Sequence, residues 1–128
     1  MQFIEAIKSN FQNYSNFKTR ACRSEFWWFT LFLMLAGIGF TLVDVFIGSF
    51  DSNSGYGLLS TLFNLATIIP SFAVSVRRLH DVGHSGWWLF IALTGIGILL
   101  LLFWYIKKGD EDENEYGGNP LHTLDHLA

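Results

Sequence analysis

The stretch FWWFTLFLMLAGIGFTLVDVFIG, residues 26–48, decides the class of this protein, because Asp44 is its only charged residue. Residues 57–76 and 87–106 are two further apolar stretches, each of 20 residues, and neither contains a charge. About 20 residues of helix cross the ~30 Å hydrocarbon core of a bilayer. The sequence therefore predicts an all-α integral membrane protein with three transmembrane helices, over 26–48, 57–76 and 87–106, in one membrane domain spanning 26–106.

The composition agrees with this class. Of the 128 residues, 51% are hydrophobic and only 15% are charged, which argues against a soluble globular protein. The charges collect in the short polar segments. Residues 107–128 form an acidic C-terminal tail that contains two lysines and six acidic residues. Cys22 is the only cysteine, so no internal disulfide forms.

The N-terminal segment, residues 1–25, predicts an amphipathic helix ahead of the first span. Its apolar residues fall within one arc of about 140° on a helical wheel, with the polar residues opposite. These apolar residues are Phe3, Ile4, Ile7, Phe11, Tyr14 and Phe17. The segment is too short and too polar to cross a bilayer, so we expect it to lie in the headgroup plane.

The basic residues predict an orientation. Arg77 and Arg78 precede the third stretch, and four more basic residues precede the first, whereas the 49–56 loop has none. Those four are Lys8, Lys18, Arg20 and Arg23. The positive-inside rule then places the N-terminus in the cytoplasm of a multi-pass plasma-membrane protein. Lys107 and Lys108 do not follow this rule, because three crossings would put them outside together with Trp104 and Tyr105.

A cluster of arginines and tryptophans at the cytoplasmic face carries the leading functional hypothesis. Guanidinium groups at headgroup depth bind phosphate, and interfacial tryptophans anchor the surface around them. The cluster comprises Arg20, Arg23, Arg77, Arg78, His80, Asp81, Trp27, Trp28, Trp87 and Trp88. We expect a non-catalytic module that binds anionic membrane lipid or a protein partner, with Asp81 either pairing with an arginine or capping the third helix.

A polar stripe in the second span carries the alternative hypothesis. It comprises Ser60, Asn64, Thr67, Ser71 and Ser75, and antiparallel packing brings Asp44 towards its outer end. Such a stripe lets helices pack closely and form hydrogen bonds, or it lines a narrow pathway in an oligomeric channel or transporter. Pro70 has no N–H group and leaves a helix carbonyl without its donor.

The sequence gives little support to other chemistry. A membrane enzyme that uses His80 and Asp81 is a third hypothesis, but the spacing places no nucleophile beside them. His80 and His84 have helical spacing without further metal ligands. We therefore expect no catalytic residue, metal, cofactor or nucleic-acid partner, and we expect either a homo-oligomer or a membrane protein partner.

Several of these residues resemble the bacterial inner-membrane family catalogued as domain of unknown function 805. The resemblance covers about residues 1–120 and rests on residues 20–27, Pro70, the block of residues 77–88, and Asn114, Tyr116, Gly117 and Pro120 in the tail. Thr19 and Cys22 depart from the glycine and serine that are usual there. The resemblance implies a small helical protein of the bacterial inner membrane and supplies no activity.

Overall fold

A computed structural model describes residues 2–120, which form four α-helices and one 3-10 helix. Helix α1 spans Phe3–Gln12, α2 spans Arg23–Ile47, α3 spans Leu58–Asp81 and α4 spans Ile96–Ile106. The 3-10 helix, Gly86–Thr94, comes just before α4 and is called the 3-10 arm below. Within residues 2–120 there is no strand beyond isolated bridges, so the predicted all-helical class is confirmed. Residues 121–128 of the predicted tail lie outside the described residues.

Helices α2 and α3 form an antiparallel pair, and both are long and apolar enough to cross a bilayer. Their 25 and 24 residues correspond to about 36 Å of helix each. Many of their apolar side chains point outward, and Phe46 is 92% exposed. The prediction ended the second helix at residue 76, whereas α3 continues to Asp81, so Arg77 and Arg78 lie on its last turns rather than in a loop.

The prediction of one continuous helix over 87–106 is wrong. The chain reverses at Gly95, whose φ of +75° is a left-handed conformation that favours glycine. The rings of Trp88 in the 3-10 arm and Trp104 in α4 lie 5.5 Å apart, centroid to centroid. Sixteen residues of straight helix would separate them by about 24 Å. The 3-10 arm and α4 therefore form a hairpin.

Both ends of this hairpin lie at the start of α2 and the end of α3, called the arginine end below. The Trp27 indole N–H donates to the carbonyl of Tyr105 at 3.1 Å, and the rings of Phe26 and Tyr105 are 4.4 Å apart. The prediction placed Trp104 and Tyr105 at the interface opposite Trp27. The structure places all three at one end because α4 returns to where the 3-10 arm began.

The hydrophobic core lies at the arginine end, where α2, α3 and the hairpin meet. Its buried members are Ala21, Phe26, Phe29, Val74, Leu79, Val82, Leu101, Trp104 and Tyr105. Towards the 49–56 loop, the α2–α3 pair is covered by neither α1 nor the hairpin, and Leu42 is 64% exposed and Leu65 61% exposed. The fold thus has a thick arginine end and a thin loop end.

Helix α1 forms as predicted and packs against α2, but its two faces are used in an unexpected way. Phe3 and Phe11 contact Trp28 and Phe29, with ring centroids 5.6 and 5.8 Å apart. Asn10, from the polar side, is fully buried, whereas apolar residues such as Ile4 remain exposed. Asn10 is buried because it contacts the charged residues of α2 and α3 described below, whereas Gln2, Glu5 and Gln12 of the same side stay exposed.

Candidate functional site

Arg78 is the most enclosed charged side chain of the arginine end, and its guanidinium is fully buried. It donates to the Asp81 carboxylate at 2.5 Å and to the Ala21 carbonyl at 3.2 Å. It also donates to backbone carbonyls where α4 ends, those of Trp104, Tyr105 and Lys107. One side chain therefore ties α3 to the segment before α2 and to the end of the hairpin.

Arg20 approaches Asp81 from the other side. Its Nε donates to Asp81 Oδ1 at 2.9 Å, so this one carboxylate accepts from two arginines. The rest of the Arg20 guanidinium donates to carbonyls of residues 107–120, which are called the C-terminal segment, at 2.6 Å for Asp110, 3.0 Å for Asp112 and 3.1 Å for Gly117. Arg20 thereby holds residues 110–117 against the end of α3.

Arg77 forms a second buried pair, with Glu25 at the start of α2. Its Nη1 donates to Glu25 at 2.9 Å and its Nη2 donates to the Asn10 side-chain carbonyl at 3.1 Å. Glu25 also accepts from the Ser9 hydroxyl at 2.8 Å. The Nε of Arg77 is buried and has no hydrogen-bond partner among residues 2–120. A buried guanidinium thus keeps one unused donor.

These contacts revise the predicted phosphate-binding role of the arginine cluster. Arg20, Arg77 and Arg78 are at most 5% exposed and already engage protein carboxylates and carbonyls. Asp81 pairs with arginines, which is one of the two structural roles considered for it. Arg23 is exposed and donates to the Ile106 carbonyl at 3.2 Å. We call Arg20, Arg77, Arg78, Glu25 and Asp81 the arginine network.

The other predicted residues surround this network. His80 is buried, its Nδ1 lies 2.9 Å from the Thr19 carbonyl oxygen, and its ring stacks on Tyr116 at 3.9 Å. Trp27, Trp28, Trp87 and Trp88 are all exposed at the same end, as expected for interfacial tryptophans. The structure thus gathers the predicted cluster at one end of the molecule, with its tryptophans outside and most of its charges inside.

Sequence reasoning missed Glu25, Asn10 and Tyr116 as parts of this cluster. A signal existed for Glu25, since a carboxylate in the first turn of a membrane helix needs a partner. No comparable signal marked Asn10, because polar residues are ordinary on one face of an amphipathic helix.

A polar cleft of about 580 Å³ opens beside Arg77. Its walls come from α1, the segment before α2, the start of α2, the end of α3 and the C-terminal segment. They comprise Glu5, Lys8, Ser9, Gln12, Asn13, Thr19, Arg20, Glu25, Arg77, Tyr116, Gly117, Gly118 and Pro120. Lys8 is exposed on this wall and forms no ion pair within residues 2–120. The cleft therefore combines a free ammonium with the wall that contains Arg77.

At the loop end, Asp44 caps α3. Its two carboxylate oxygens accept from the backbone N–H groups of Leu59 and Ser60, both at 2.9 Å, and from the Ser49 hydroxyl at 2.7 Å. A Cβ atom on Gly57 would overlap this carboxylate, so glycine is required for the close approach. Asp44 is fully buried, and its contacts are those of a structural cap rather than of an open pathway.

The polar stripe satisfies most of its hydrogen bonds within α3. The hydroxyls of Thr67, Ser71 and Ser75 each donate to the carbonyl four residues earlier, at 2.6 to 2.9 Å. Ser60 is buried beside Asp44, whereas Asn64 is exposed on the outside of the pair. Within residues 2–120, the stripe does not enclose a polar channel.

Pro70 leaves the Ala66 carbonyl without its helical donor, as predicted, and the structure shows which group replaces it. The Tyr14 hydroxyl donates to this carbonyl. Ala66 lies eleven residues, or about 16 Å of helix, from Arg77. The segment after α1 therefore reaches well along α3 and is not confined to the arginine end.

His80 and His84, which have helical spacing in the sequence, contact different aromatic residues in the structure. Among residues 2–120 there is no group of three or more His, Cys, Asp or Glu side chains that could hold a metal ion. His84 stacks on Trp104 at 4.0 Å instead of meeting His80. Burial lowers the pKa of His84 below 6.5, the nearby charge of Lys107 lowers it further, and Asp110 opposes this shift.

The chain is similar in sequence to known inner membrane proteins over most of its length. Over 110 residues, the chain is 34% identical to inner membrane protein YhaH and 36% identical to inner membrane protein YhaI, both of Escherichia coli K12. Each alignment covers 85% of this chain, with 90% of YhaH and 89% of YhaI. No solved structure matches. Residues 14–118 match the family described as "Protein of unknown function (DUF805)", and the chain therefore belongs to this family of membrane proteins.

Proposed function

We propose that this protein is a non-catalytic membrane module that binds an anionic phosphate group, as carried by phospholipid headgroups, in the polar cleft. The supporting observation is the Nε of Arg77, a buried donor with no partner among residues 2–120, in a residue that lines the cleft. An unmade hydrogen bond on a buried charged group is costly, so a ligand oxygen that accepts it gains affinity.

Lys8 supplies the second half of the proposed site. It lines the cleft and is exposed, so it can approach an anion without leaving a protein partner. Glu25 also lines the cleft, but its carboxylate already forms an ion pair with Arg77 and accepts a hydrogen bond from the Ser9 hydroxyl. Glu5 is the remaining acidic residue of the wall, and its carboxylate can accept a hydrogen bond from a headgroup hydroxyl beside the phosphate.

The position of the cleft supports a lipid as the source of this phosphate. It lies at the arginine end, where four exposed tryptophans mark the depth of lipid headgroups. We propose that this end faces the cytoplasm, because six basic residues lie before α2, at its first residue and at the end of α3, and the 49–56 loop has none. The buried arginine network then serves as the scaffold that shapes the cleft.

The channel alternative has less support, because Asp44 caps α3 and the hydroxyls of Thr67, Ser71 and Ser75 donate to carbonyls of their own helix. A pathway would need ionisable groups facing an opening at depth. Among residues 2–120 only Asn64 offers an exposed polar side chain on the stripe. We therefore favour ligand binding at the cleft.

Native mass spectrometry of protein released from nanodiscs tests this proposal. The nanodiscs contain phosphatidylglycerol and phosphatidylethanolamine, and the variants are Lys8→Gln and its control Lys18→Gln. Both lysines are exposed, but only Lys8 lines the cleft. We expect the wild type and Lys18→Gln to retain phosphatidylglycerol, and Lys8→Gln to retain several-fold less.

Three further outcomes separate the sources of the ligand. Displacement of bound lipid by millimolar inorganic phosphate would show that the cleft recognises the phosphate group itself. Equal lipid retention by Lys8→Gln and Lys18→Gln, or preferential retention of phosphatidylethanolamine, would contradict anionic-lipid binding at the cleft. A co-released acidic protein lost only in Lys8→Gln would instead assign the cleft to a protein partner.

A further inference from the structure

We propose that residues 86–106 form a re-entrant hairpin that enters and leaves the membrane from the same face. The chain then crosses the bilayer twice, through α2 and α3, and its C-terminal segment lies on the same side as its N-terminal segment. This inference rests on α2 and α3 crossing the membrane, and it is independent of what the cleft binds.

The dimensions of the hairpin fit half of a bilayer. Nine residues of 3-10 helix rise about 18 Å, and the 11 residues of α4 rise about 16 Å. Neither arm crosses the ~30 Å hydrocarbon core by itself. Because the arms lie side by side, as the contact between Trp88 and Trp104 shows, the turn at Gly95 reaches about the middle of the bilayer.

Polar backbone groups at the turn form hydrogen bonds within the hairpin. Polar backbone groups inside a bilayer must find partners within the protein. The Thr94 hydroxyl donates to the Ile91 carbonyl at 2.7 Å and accepts from the Gly97 N–H at 3.0 Å. The Thr94 hydroxyl thus hydrogen-bonds a carbonyl of the 3-10 arm and a first-turn N–H of α4 that has no partner within the helix.

The C-terminal segment is bound to the arginine end by contacts that one crossing of residues 87–106 would remove. Arg20 donates to carbonyls of the segment, and Asn114 donates to the His80 carbonyl at 2.9 Å. The Asp110 N–H donates to the Asp81 carbonyl at 2.7 Å. Tyr116, Gly117, Gly118 and Pro120 also form one wall of the polar cleft, so the complete cleft requires the segment on this side.

The charges of the whole chain agree with this topology. Three crossings would leave Lys107 and Lys108 opposite the other basic residues. With a re-entrant hairpin, all eight Lys and Arg residues lie on one side, and the 49–56 loop on the other side has none. The distribution then follows the positive-inside rule without an exception.

Single-cysteine labelling in spheroplasts tests the inference. In a Cys22→Ser background, a membrane-impermeant maleimide is applied to Lys18→Cys, Ser54→Cys and Glu113→Cys, before and after permeabilisation. We expect Ser54→Cys to react at once, and Lys18→Cys and Glu113→Cys to react only after permeabilisation. Full-length fusions at Ala128 require no substitution, and there green fluorescent protein should fluoresce while alkaline phosphatase stays inactive.

The outcomes separate this inference from the proposed orientation. If Lys18→Cys and Glu113→Cys behave alike but react from outside, the orientation is wrong and the hairpin stands. If the two react from opposite sides, or if alkaline phosphatase is active at Ala128 while Lys18→Cys is protected, residues 86–106 cross the membrane and the hairpin is refuted.

Discussion

The two ends of the α2–α3 pair both bury charge, but they neutralise it by different means. At the loop end, Asp44 meets the N-terminus of α3, where backbone N–H groups and the helix dipole supply partial positive charge. At the arginine end, Arg20 and Arg78 meet the side chain of Asp81. The first arrangement joins two neighbouring helices and the turn between them, whereas the second joins segments far apart in sequence.

This difference has a structural consequence. The cap at Asp44 closes one local connection, because α3 follows α2 directly. The arginine network holds the segment before α2, the end of α3, the end of α4 and residues 110–117 together. A substitution that removes the cap at Asp44 should therefore affect only α2, α3 and the turn between them. A substitution that breaks the arginine network should release the C-terminal segment.

The largest expected effect follows from Asp81→Ala, which leaves the buried guanidiniums of Arg20 and Arg78 without their carboxylate. Breaking a buried ion pair by removing one partner costs about 3–5 kcal/mol. We expect a loss of this size in the free energy of unfolding, measured in detergent micelles through tryptophan fluorescence. We also expect faster tryptic cleavage after Lys107 and Lys108, because the C-terminal segment is released.

Asp51→Ala is the matched control, because it removes a carboxylate from an exposed position in the 49–56 loop. It removes one exposed hydrogen bond, from the Asn53 N–H to the Asp51 carboxylate, and should change the free energy of unfolding by no more than about 1 kcal/mol. Equal effects of the two substitutions, or an unchanged tryptic pattern in Asp81→Ala, would show that the arginine network does not hold the segment.

A smaller effect is expected from Asp44→Ala at the loop end. Loss of a helix N-cap costs about 0.5–2 kcal/mol. Because the cap joins only α2, α3 and the turn between them, tryptic cleavage after Lys107 and Lys108 should keep its wild-type rate. Faster cleavage in Asp44→Ala would show that the two ends are coupled, against the comparison drawn above.

Much of the fold follows from the sequence, because the length of an apolar stretch determines whether it can cross a bilayer. This argument predicted α2 and α3, and the wheel of apolar residues predicted α1. It failed for residues 87–106, since 20 apolar residues satisfy the length criterion whether they run straight or fold back. Two features of the sequence indicated a turn. Gly95 and Gly97 lie within the stretch, and a third crossing would place Lys107 and Lys108 on the side opposite to the other basic residues.

The sequence predicted only part of the candidate site, because Glu25, Asn10 and Tyr116 of the cluster and Lys8 of the cleft were not among the predicted site residues. The motif residues gather at one end, and pairing of Asp81 with an arginine was one of the two roles considered. Which arginine pairs with which carboxylate depends on contacts such as that between Arg20 and Asp81, 61 residues apart. The burial of Arg77 and Arg78 depends on the hairpin and on α1 covering them, so it could not be predicted without the hairpin.

The next effect concerns the hydrogen bond from Tyr14 to Ala66, which lies between the two ends. Tyr14→Phe leaves the carbonyl freed by Pro70 without a donor, so we expect a loss of about 1 kcal/mol in the free energy of unfolding. Pro70→Ala restores an N–H donor for Ala66. In that background, Tyr14→Phe should cost nothing, and a double-mutant cycle measures this difference.

An unchanged cost of Tyr14→Phe in the Pro70→Ala background would contradict this account. It would mean that the tyrosine contributes through packing alone and that Ala66 does not depend on its hydroxyl.

The smallest expected effect is a pH dependence at the arginine end, where His84 lies against Trp104 of the hairpin. The pKa of His84 is lowered in the folded protein, so protonation favours the unfolded state. Its stabilising contribution is complete above its unfolded pKa of about 6.5 and falls as the pH drops below that value. His84→Phe keeps an aromatic ring against Trp104 and removes the titration. We expect the wild type to lose more stability than His84→Phe between pH 7.5 and pH 5, and equal slopes would place the titration elsewhere.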